Sequence, residues 1–368
     1  MESCDVLVIG GGPAGSSCAG KLREAGADVL LLDKARFPRE KPCAGWITPA
    51  VFETLGLDPD EYRQGRILQE ISSFRTGLMN GSAVVTRYNT TVSYGIRRSE
   101  FDHFLLQRCH VQQLLGESAV TLGRADGWWV VNGRIKARLL VGAGGHFCPV
   151  ARLLGAGIGR EAVVAARAGE YALSEKEART CRIQPGTPEL FFSRDMKGYG
   201  WLFRKENYLN IGLGRADTGD VNRAFSEFSS FLTQRGDLPG SFRTFQGHAY
   251  QLFSKRRRRC VHDGALLIGD AAGLASPLSG EGILPAIESA LMAAETIVSA
   301  NGDYRREKLE PYPVQLTRHF SAESSITSRH PCLSKLSRYV GARLLSSSWF
   351  TRHVVLDRWF LHAGRVVQ

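Results

Sequence analysis

Apolar runs and a segment of small residues alternate at the start of the chain. Residues 4–9 (CDVLVI) are mostly apolar and β-branched, as in a buried strand, and residues 27–32 (ADVLLL) repeat the pattern. Between them, residues 16–25 carry small residues at helical spacing. A strand, a helix and a second strand within about 30 residues predict the first βαβ unit of a doubly wound α/β sheet.

The pattern changes further along the chain. Residues 34–60 are rich in proline, which predicts a loop with a short helix over 49–55. Residues 69–94 alternate between apolar and polar positions and contain many Thr and Ser, as in a half-exposed antiparallel sheet. Residues 160–252 are strand-like and rich in aromatic residues, with one helix predicted over 222–235.

Buried strands return at residues 139–141 and 265–268. One helix is predicted over 99–113, with Ser99 as its N-cap, and another is predicted over 282–300. We therefore predict a doubly wound, Rossmann-like domain assembled from residues 1–65, 97–155 and 256–300. Residues 66–96 and 156–255 form an inserted antiparallel β-sheet domain for the substrate. Residues 301–368 form a helical, basic C-terminal segment.

Composition excludes several classes of protein. The 368 residues are 43% hydrophobic and 23% charged, which is typical of a globular chain and not of a disordered or coiled-coil one. No apolar run has the ~18 residues needed to span a bilayer. The start carries Glu2 and Asp5 and lacks a basic, then apolar, secretory leader. We therefore expect a cytoplasmic protein.

Cysteine and histidine spacing argues against metal and disulfide sites. The eight cysteines are scattered and form no CxxC pair, which favours free thiols in a reducing compartment. The nine histidines show no metal-ligand spacing, so we expect no bound metal.

The net charge of +11 is concentrated partly in residues 255–259 (KRRRR) and partly near the C-terminus. We interpret the run at 255–259 as a solvated loop. No nucleic-acid-binding motif accompanies the charge, so we expect no nucleic-acid partner. The oligomeric state is not indicated by the sequence.

The first chemical motif is Gly10-x-Gly12-x-x-Gly15, which lies directly between the first strand and the first helix. The first glycine permits the tight turn, the second lets the backbone approach a pyrophosphate, and the third lets the helix pack closely on the strand. Asp33 ends the second strand, where a carboxylate accepts hydrogen bonds from a ribose and repels a 2′-phosphate. This motif predicts a dinucleotide, either FAD or NAD.

A second motif, GDAAGLASPLSGEGI at residues 269–283, has no use in an NAD dehydrogenase. Together with GGGPAG at 10–15, KPCAG at 41–45 and RSEFDHFL at 98–105, it resembles the FAD-dependent p-hydroxybenzoate hydroxylase superfamily. Within that superfamily, the chain looks most like the geranylgeranyl reductase branch.

The resemblance implies a non-covalent FAD in an extended conformation. Its ADP end would lie at Ala14 and Asp33, its ribityl chain near Asp270, and its ring near Gly282 and Ile283. Arg98 would contact the cofactor, and the loop with Cys43 and Ala44 would cover the flavin. The implied cofactor-binding residues are Gly10, Gly12, Ala14, Gly15, Asp33, Cys43, Ala44, Arg98, Val120, Asp270, Gly282 and Ile283.

The chain departs from the family pattern in two places. The middle motif reads Ala143-Gly144-Gly145 and lacks the usual aspartate. Tyr199, Trp201 and Phe203 of the reductase motif remain, but the two flanking prolines do not. These three aromatic residues alternate along a strand, so they share a face. They form either the wall of an apolar cavity beside the flavin or ordinary sheet packing.

Catalytic residues are not identified by the sequence, and Cys43 is either a reactive thiol or a small residue that fits beside the ring. The leading hypothesis is an FAD-dependent reductase acting on carbon–carbon double bonds of a small apolar, isoprenoid-like substrate. The alternatives are a monooxygenase that hydroxylates an aromatic or polyketide ring, and a flavin-bound binding or regulatory protein without turnover. Because no second nucleotide motif exists, electrons would come from transiently bound NAD(P)H or from another donor.

Apolar residues recur every three to four positions beyond Pro331, which predicts helices with one apolar face and a basic remainder. The basic residues are Lys335, Arg338, Arg343, Arg352, Arg358 and Arg365. One interpretation is a helical pair packed on the rest of the protein. The other is a peripheral contact with an anionic membrane through this basic side and through Trp349, Phe350, Trp359 or Phe360.

Overall fold

The computed structural model describes residues 2–156, 163–216, 221–238, 245–254, 258–324 and 343–362. Its strands are β1 (Glu2–Ile9), β2 (Val29–Asp33), β3 (Trp46–Ile47), β4 (Leu68–Ile71), β5 (Ser73–Leu78), β6 (Ala83–Arg87), β7 (Ser93–Ile96), β8 (Gln112–Leu115), β9 (Leu122–Ala125), β10 (Trp128–Val131), β11 (Ile135–Gly142), β12 (Val163–Ala172), β13 (Glu189–Phe192), β14 (Gly198–Lys205), β15 (Tyr208–Arg215), β16 (Gln246–Gln251), β17 (Val261–His262) and β18 (Ala265–Leu267).

The helices are α1 (Pro13–Glu24), α2 (Pro49–Leu55), α3 (Pro59–Arg63), α4 (Arg98–Arg108), α5 (Pro149–Leu153), α6 (Glu175–Thr180), α7 (Val221–Arg235), α8 (Ile283–Ser299), α9 (Arg306–Leu309), α10 (Pro311–Ser324) and α11 (Ser348–Phe350). A 3-10 turn spans Gly269–Ala271, and a π-helix spans Thr351–Phe360 directly after α11. We refer to α11 and the π-helix together as the C-terminal helix.

The chain divides into two compact units. Unit 1 consists of Met1–Glu40, Ser99–Ala162 and Tyr250–Thr327, and unit 2 consists of Lys41–Arg98, Val163–Ala249 and Ser328–Gln368. Each unit is assembled from separated stretches of sequence.

Unit 1 is built on a mostly parallel sheet. Within the described residues its strand order is β17-β18-β11-β1-β2-β8, and β10 and β9 extend from β11. β1 pairs in parallel with both β2 and β11, and β11 pairs in parallel with β18. The central strands are apolar on both faces, and α1 and α8 pack over them. This arrangement confirms the predicted α/β class.

Unit 2 is built on a mostly antiparallel sheet whose order is β16-β12-β15-β14-β13-β5-β6. Alternate residues of β14 face opposite sides, because successive side chains in a strand point to opposite faces. Leu202 packs with Phe225 and Phe228 of α7, whereas Trp201 and Phe203 pack with Phe360 of the C-terminal helix. The sheet is therefore covered on both faces.

The limits predicted for the helix over 99–113 are wrong at both ends. α4 begins at Arg98, so Ser99 is a helical residue and not the N-cap. The helix ends at Arg108, and His110 has a φ of 47°, in the left-handed region. Residues 112–115 form β8, which extends the parallel sheet beside β2. Pairing with β2 overrides the local helical pattern at this point.

The compact units differ from the predicted domain limits at two places. Residues 41–65 belong to unit 2, since β3 pairs with β7. Residues 301–368 are not one segment: α9 and α10 bury Leu309 and Phe320 in the core of unit 1, whereas residues 343–362 belong to unit 2. None of the helices in the described ranges is both long and apolar enough to cross a membrane.

Candidate cofactor site

The glycine loop between β1 and α1 combines two close backbone contacts with one open position. Gly10 has a φ of 117°, and a Cβ there would lie 2.4 Å from the carbonyl oxygen of Ala143. A Cβ on Gly15 would lie 1.7 Å from the carbonyl oxygen of Gly10. Gly12, the N-cap of α1, would meet only Arg39 among the described residues, at 3.5 Å from Nη2. The N-terminus of α1 is therefore accessible to a phosphate group.

Asp33 anchors this loop to the end of β2. Its Oδ2 accepts a hydrogen bond from the Gly11 amide at 2.6 Å, and its Oδ1 accepts one from the Ala35 amide at 2.7 Å. Each carboxylate oxygen can accept a second hydrogen bond, so the group can still receive the hydroxyls of a ribose.

The second motif lies against the first. The 3-10 turn with Asp270 follows β18, and a Cβ on Gly269 would lie 3.0 Å from the Cβ of Ala14. The Gly269 amide donates to Ser289 Oγ of α8 at 3.0 Å. A Cβ on Gly282, the N-cap of α8, would lie 3.3 Å from Asp270 Oδ1. Unit 1 thus places Ala14, Asp270 and Gly282 within one small region, beside the N-termini of two helices.

Two arginines near these motifs were missed by sequence reasoning. Arg39 pairs with the fully buried Asp102 at 3.1 Å, and its guanidinium is the group that approaches Gly12. This brings a positive charge next to the N-terminus of α1. Arg39 lies in a proline-rich loop without a recognisable spacing, so no sequence signal pointed to it.

The interpretation of residues 255–259 as a solvated loop is wrong for Arg258. This residue is only 4% exposed, and its Nη1 donates to the carbonyl oxygen of Ala271 at 3.1 Å. Its Nη2 lies 3.4 Å from Nδ1 of the buried His146. Arg258 therefore supports the turn that carries Asp270. Residues 255–257 lie outside the described residues.

The remaining implied residues are distributed over both units. Val120 lies in unit 1, where its side chain is 78% exposed and its amide donates to Asn132 Oδ1 at 2.9 Å. Cys43 and Ala44 lie in unit 2, together with the buried Arg98, which begins α4. The Cys43 thiol is half-buried and accepts from the Gly45 amide at 3.4 Å.

Tyr199, Trp201 and Phe203 share one face of β14, as predicted. Trp201 is 8% exposed and Phe203 is 1% exposed, and the Tyr199 ring lies 5.3 Å from the ring of Phe360. In unit 2, Trp201 and Phe203 are buried and Tyr199 is half-buried, so sheet packing accounts for these side chains, and a cavity wall beside the flavin stays a prediction.

Comparison with known proteins identifies the family. The family described as FAD binding domain matches residues 3–319. The chain belongs to this FAD binding domain family. The glycine loop with its open helix N-terminus, Asp33 and Asp270 fit this cofactor, so FAD and not NAD is the dinucleotide that the two motifs accept. The predicted family resemblance is thereby confirmed, and the chain is an FAD-dependent oxidoreductase.

Named relatives are similar to the chain over most of its length. Menaquinone reductase of Mycobacterium tuberculosis is 29% identical, with 92% of this chain and 86% of that protein aligned. Digeranylgeranylglycerophospholipid reductase 3 of Methanosphaera stadtmanae is 27% identical over 87% of this chain and 84% of that protein.

Among solved structures, a geranylgeranyl bacteriochlorophyll reductase-like protein from Thermoplasma acidophilum superposes with a TM-score of 0.71. The two chains are 20% identical, and the superposition covers 94% of this chain and 88% of the other. At this identity the similarity establishes the fold.

Proposed function

We propose that the chain is a reductase that transfers hydride from reduced FAD to a carbon–carbon double bond of an apolar, isoprenoid-like substrate. The observation that carries this proposal is the similarity to two kinds of reductase, named for menaquinone and for digeranylgeranylglycerophospholipid. Both named compounds contain isoprenoid chains.

The residues of unit 1 bind and orient the cofactor without a covalent bond. The N-terminus of α1 and Arg39 would hold the pyrophosphate, Asp33 would accept the ribose hydroxyls, and Asp270 would accept those of the ribityl chain. Bound FAD, once reduced, supplies the hydride. The N-terminus of α8 at Gly282 would stabilise the negative charge that the flavin gains on reduction.

A single-turnover experiment tests this reaction. The FAD-loaded protein is reduced with dithionite without oxygen and mixed with a geranylgeranylated lipid. We expect the flavin absorbance to return and the product to gain two hydrogen atoms. The fully saturated lipid is the matched control and should leave the flavin reduced.

The same experiment, repeated with oxygen present, separates the alternatives. Reoxidation that requires oxygen, with an oxygen atom added to the product, would establish the monooxygenase instead. A flavin that no substrate or donor oxidises or reduces would establish a binding protein without turnover.

We propose that the electron donor binds transiently, because the sequence contains no second dinucleotide motif. Mixing the oxidised protein with NADH, NADPH or a reduced iron–sulfur protein measures which donor bleaches the flavin. Equally slow reduction of the flavin by all three donors would contradict a specific donor site.

We propose that the outer side of the C-terminal helix contacts an anionic membrane surface. Trp349 is 67% exposed, and Arg343, Arg352 and Arg358 of the same segment are exposed as well. Phe360 is buried and Phe350 and Trp359 are half-buried, so packing accounts for these three aromatic residues. Each basic residue near an anionic surface contributes on the order of 1 kcal/mol. Lys335, Arg338 and Arg365 lie outside the described residues.

Co-sedimentation with vesicles tests the membrane contact. We expect binding to vesicles that contain phosphatidylglycerol, weaker binding as salt is added, and a clear loss in the double variant Trp349→Ala, Arg352→Ala. Arg179→Ala, which changes an exposed arginine on α6, is the control. Equal binding to neutral and anionic vesicles would contradict the proposal.

A further inference from the structure

A buried polar network in unit 2 lies against the segment that contains Cys43. Its centre is Asn210 on β15, which is 3% exposed. Asn210 Nδ2 donates to the carbonyl oxygen of Cys43 at 2.9 Å, and its Oδ1 accepts from Trp201 Nε1 at 2.8 Å. One side-chain amide therefore joins the backbone of residues 41–45 to an indole on β14.

Charged groups fix the orientation of this amide. Asn210 Nδ2 also lies 3.3 Å from Glu170 Oε1, which accepts from Lys205 Nζ at 2.7 Å. Arg97 Nε donates to the other carboxylate oxygen of Glu170 at 3.1 Å. A rotated amide would place its NH₂ group against the indole N–H of Trp201, and its oxygen against a carbonyl and a carboxylate. Only one of the two orientations satisfies every partner.

Lys205 supports the other end of the Cys43 segment. Its Nζ donates to the carbonyl oxygen of Ile96 at 2.7 Å, and the Ile96 amide donates to the carbonyl oxygen of Gly45 at 2.7 Å. A Cβ on Gly45 would lie 2.5 Å from Lys205 Nζ and 2.1 Å from Ile96 O. The backbone at Gly45 is thus in direct contact with the buried ammonium group, and only glycine fits there.

Stability alone does not account for such a network. Lys205 is fully buried, and replacing a buried ion pair by well-packed apolar residues is often neutral or stabilising. The network instead supplies direction, because each hydrogen bond specifies where a donor and an acceptor lie. The groups whose positions it specifies are the Cys43 backbone and the Trp201 indole.

We propose that Asn210 is a positioning residue that holds the Cys43 segment against Trp201, with the Glu170–Lys205 pair fixing the amide. The segment leaves this position only when the bond from Asn210 to the Cys43 carbonyl breaks. The expected consequence for turnover, a lower kcat at unchanged FAD content, rests on the proposed function. The consequence for the reactivity of the Cys43 thiol does not.

Thiol labelling of the FAD-loaded protein tests the proposal. Asn210→Ala is compared with Asn222→Ala, a control that makes the same change at an exposed asparagine of unit 2. Each protein is treated with iodoacetamide, and labelling is measured by mass spectrometry of the peptides with Cys43 and Cys181. Cys181 is also half-buried in unit 2 and serves as the internal reference.

We expect Asn210→Ala to accelerate labelling of Cys43 roughly three- to tenfold, the range given by losing one hydrogen bond, with Cys181 unchanged. Unchanged labelling of Cys43, or equal acceleration at both cysteines, would overturn the proposal. Should Asn210→Ala fail to fold, Trp201→Phe removes one partner of the amide and should accelerate Cys43 labelling alone, by about twofold. No acceleration in that variant would also overturn it.

Discussion

Single atoms decide the shape of the cofactor site. Gly10 and Gly15 are required because any Cβ would collide with a neighbouring carbonyl group, whereas Gly12 leaves the end of α1 accessible. These roles follow from the motif and were predictable. Arg39 and Arg258 were not, because each acts through a partner distant in sequence, Asp102 and Ala271 respectively.

At this scale we predict that Asp33→Ala and Asp270→Ala each weaken FAD binding. A hydrogen bond to a charged acceptor contributes ~1.5–3 kcal/mol, which corresponds to roughly a 10- to 100-fold rise in Kd. Asp33→Ala also removes the acceptor of the Gly11 amide, so we expect it to have the larger effect. Titration of the apo-protein with FAD measures both, and Asp28→Ala, at an exposed carboxylate, is the control. An unchanged Kd would refute the placement of that carboxylate.

Individual elements bury faces that their sequence patterns predict. β14 is apolar on both faces because α7 covers one and the C-terminal helix covers the other. The amphipathic pattern predicted the C-terminal helix, but the pattern did not indicate which of its aromatic residues are buried. Phe360 stacks on Trp46 at 5.1 Å between ring centroids, while Trp349 remains exposed. The hydroxyl of Tyr88 donates to Asp357 at 2.6 Å and fixes the same helix to the β6 end of the sheet.

At the element scale, we predict that Phe360→Ala lowers the free energy of unfolding by about 3–5 kcal/mol, since it leaves a cavity beside Trp46. Trp349→Ala should change it by less than about 0.5 kcal/mol, since that side chain is exposed. Unfolding in urea, followed by circular dichroism, measures both variants. Similar losses of unfolding free energy in the two variants would show that the C-terminal helix does not pack as described.

Over the whole molecule, charge is not merely a surface property. The chain carries a net charge of +11, yet Lys205 and Arg258 are buried and act as hydrogen-bond donors inside their units. Burial alone would raise the pKa of Glu170, but Lys205 and Arg97 outweigh it, so the pKa lies below its usual value of 4.5. A carboxylate with a lowered folded-state pKa contributes stability above its unfolded-state pKa and loses that contribution as the pH falls.

We therefore predict an acid-dependent difference between wild type and Glu170→Gln. The wild type should be more stable than the variant at neutral pH, and the difference should shrink as the pH falls below about 4.5. Urea unfolding between about pH 7 and pH 3 measures the difference, with Glu175→Gln, at an exposed glutamate, as the control. A difference that stays constant with pH would mean that the charge on Glu170 does not stabilise unit 2.

The sequence by itself determined the βαβ opening, the two cofactor motifs, the shared face of Tyr199, Trp201 and Phe203 on β14, and the helix α8. Each of these depends on neighbours a few residues apart, where periodicity and glycine spacing act directly. Tertiary structure alone decided that residues 112–115 form a strand, that residues 41–65 join unit 2, and that Arg258, Lys205 and Asn210 are buried polar centres. Those outcomes depend on partners far away in sequence, such as β2, β7 and Glu170, whose proximity only the folded chain creates.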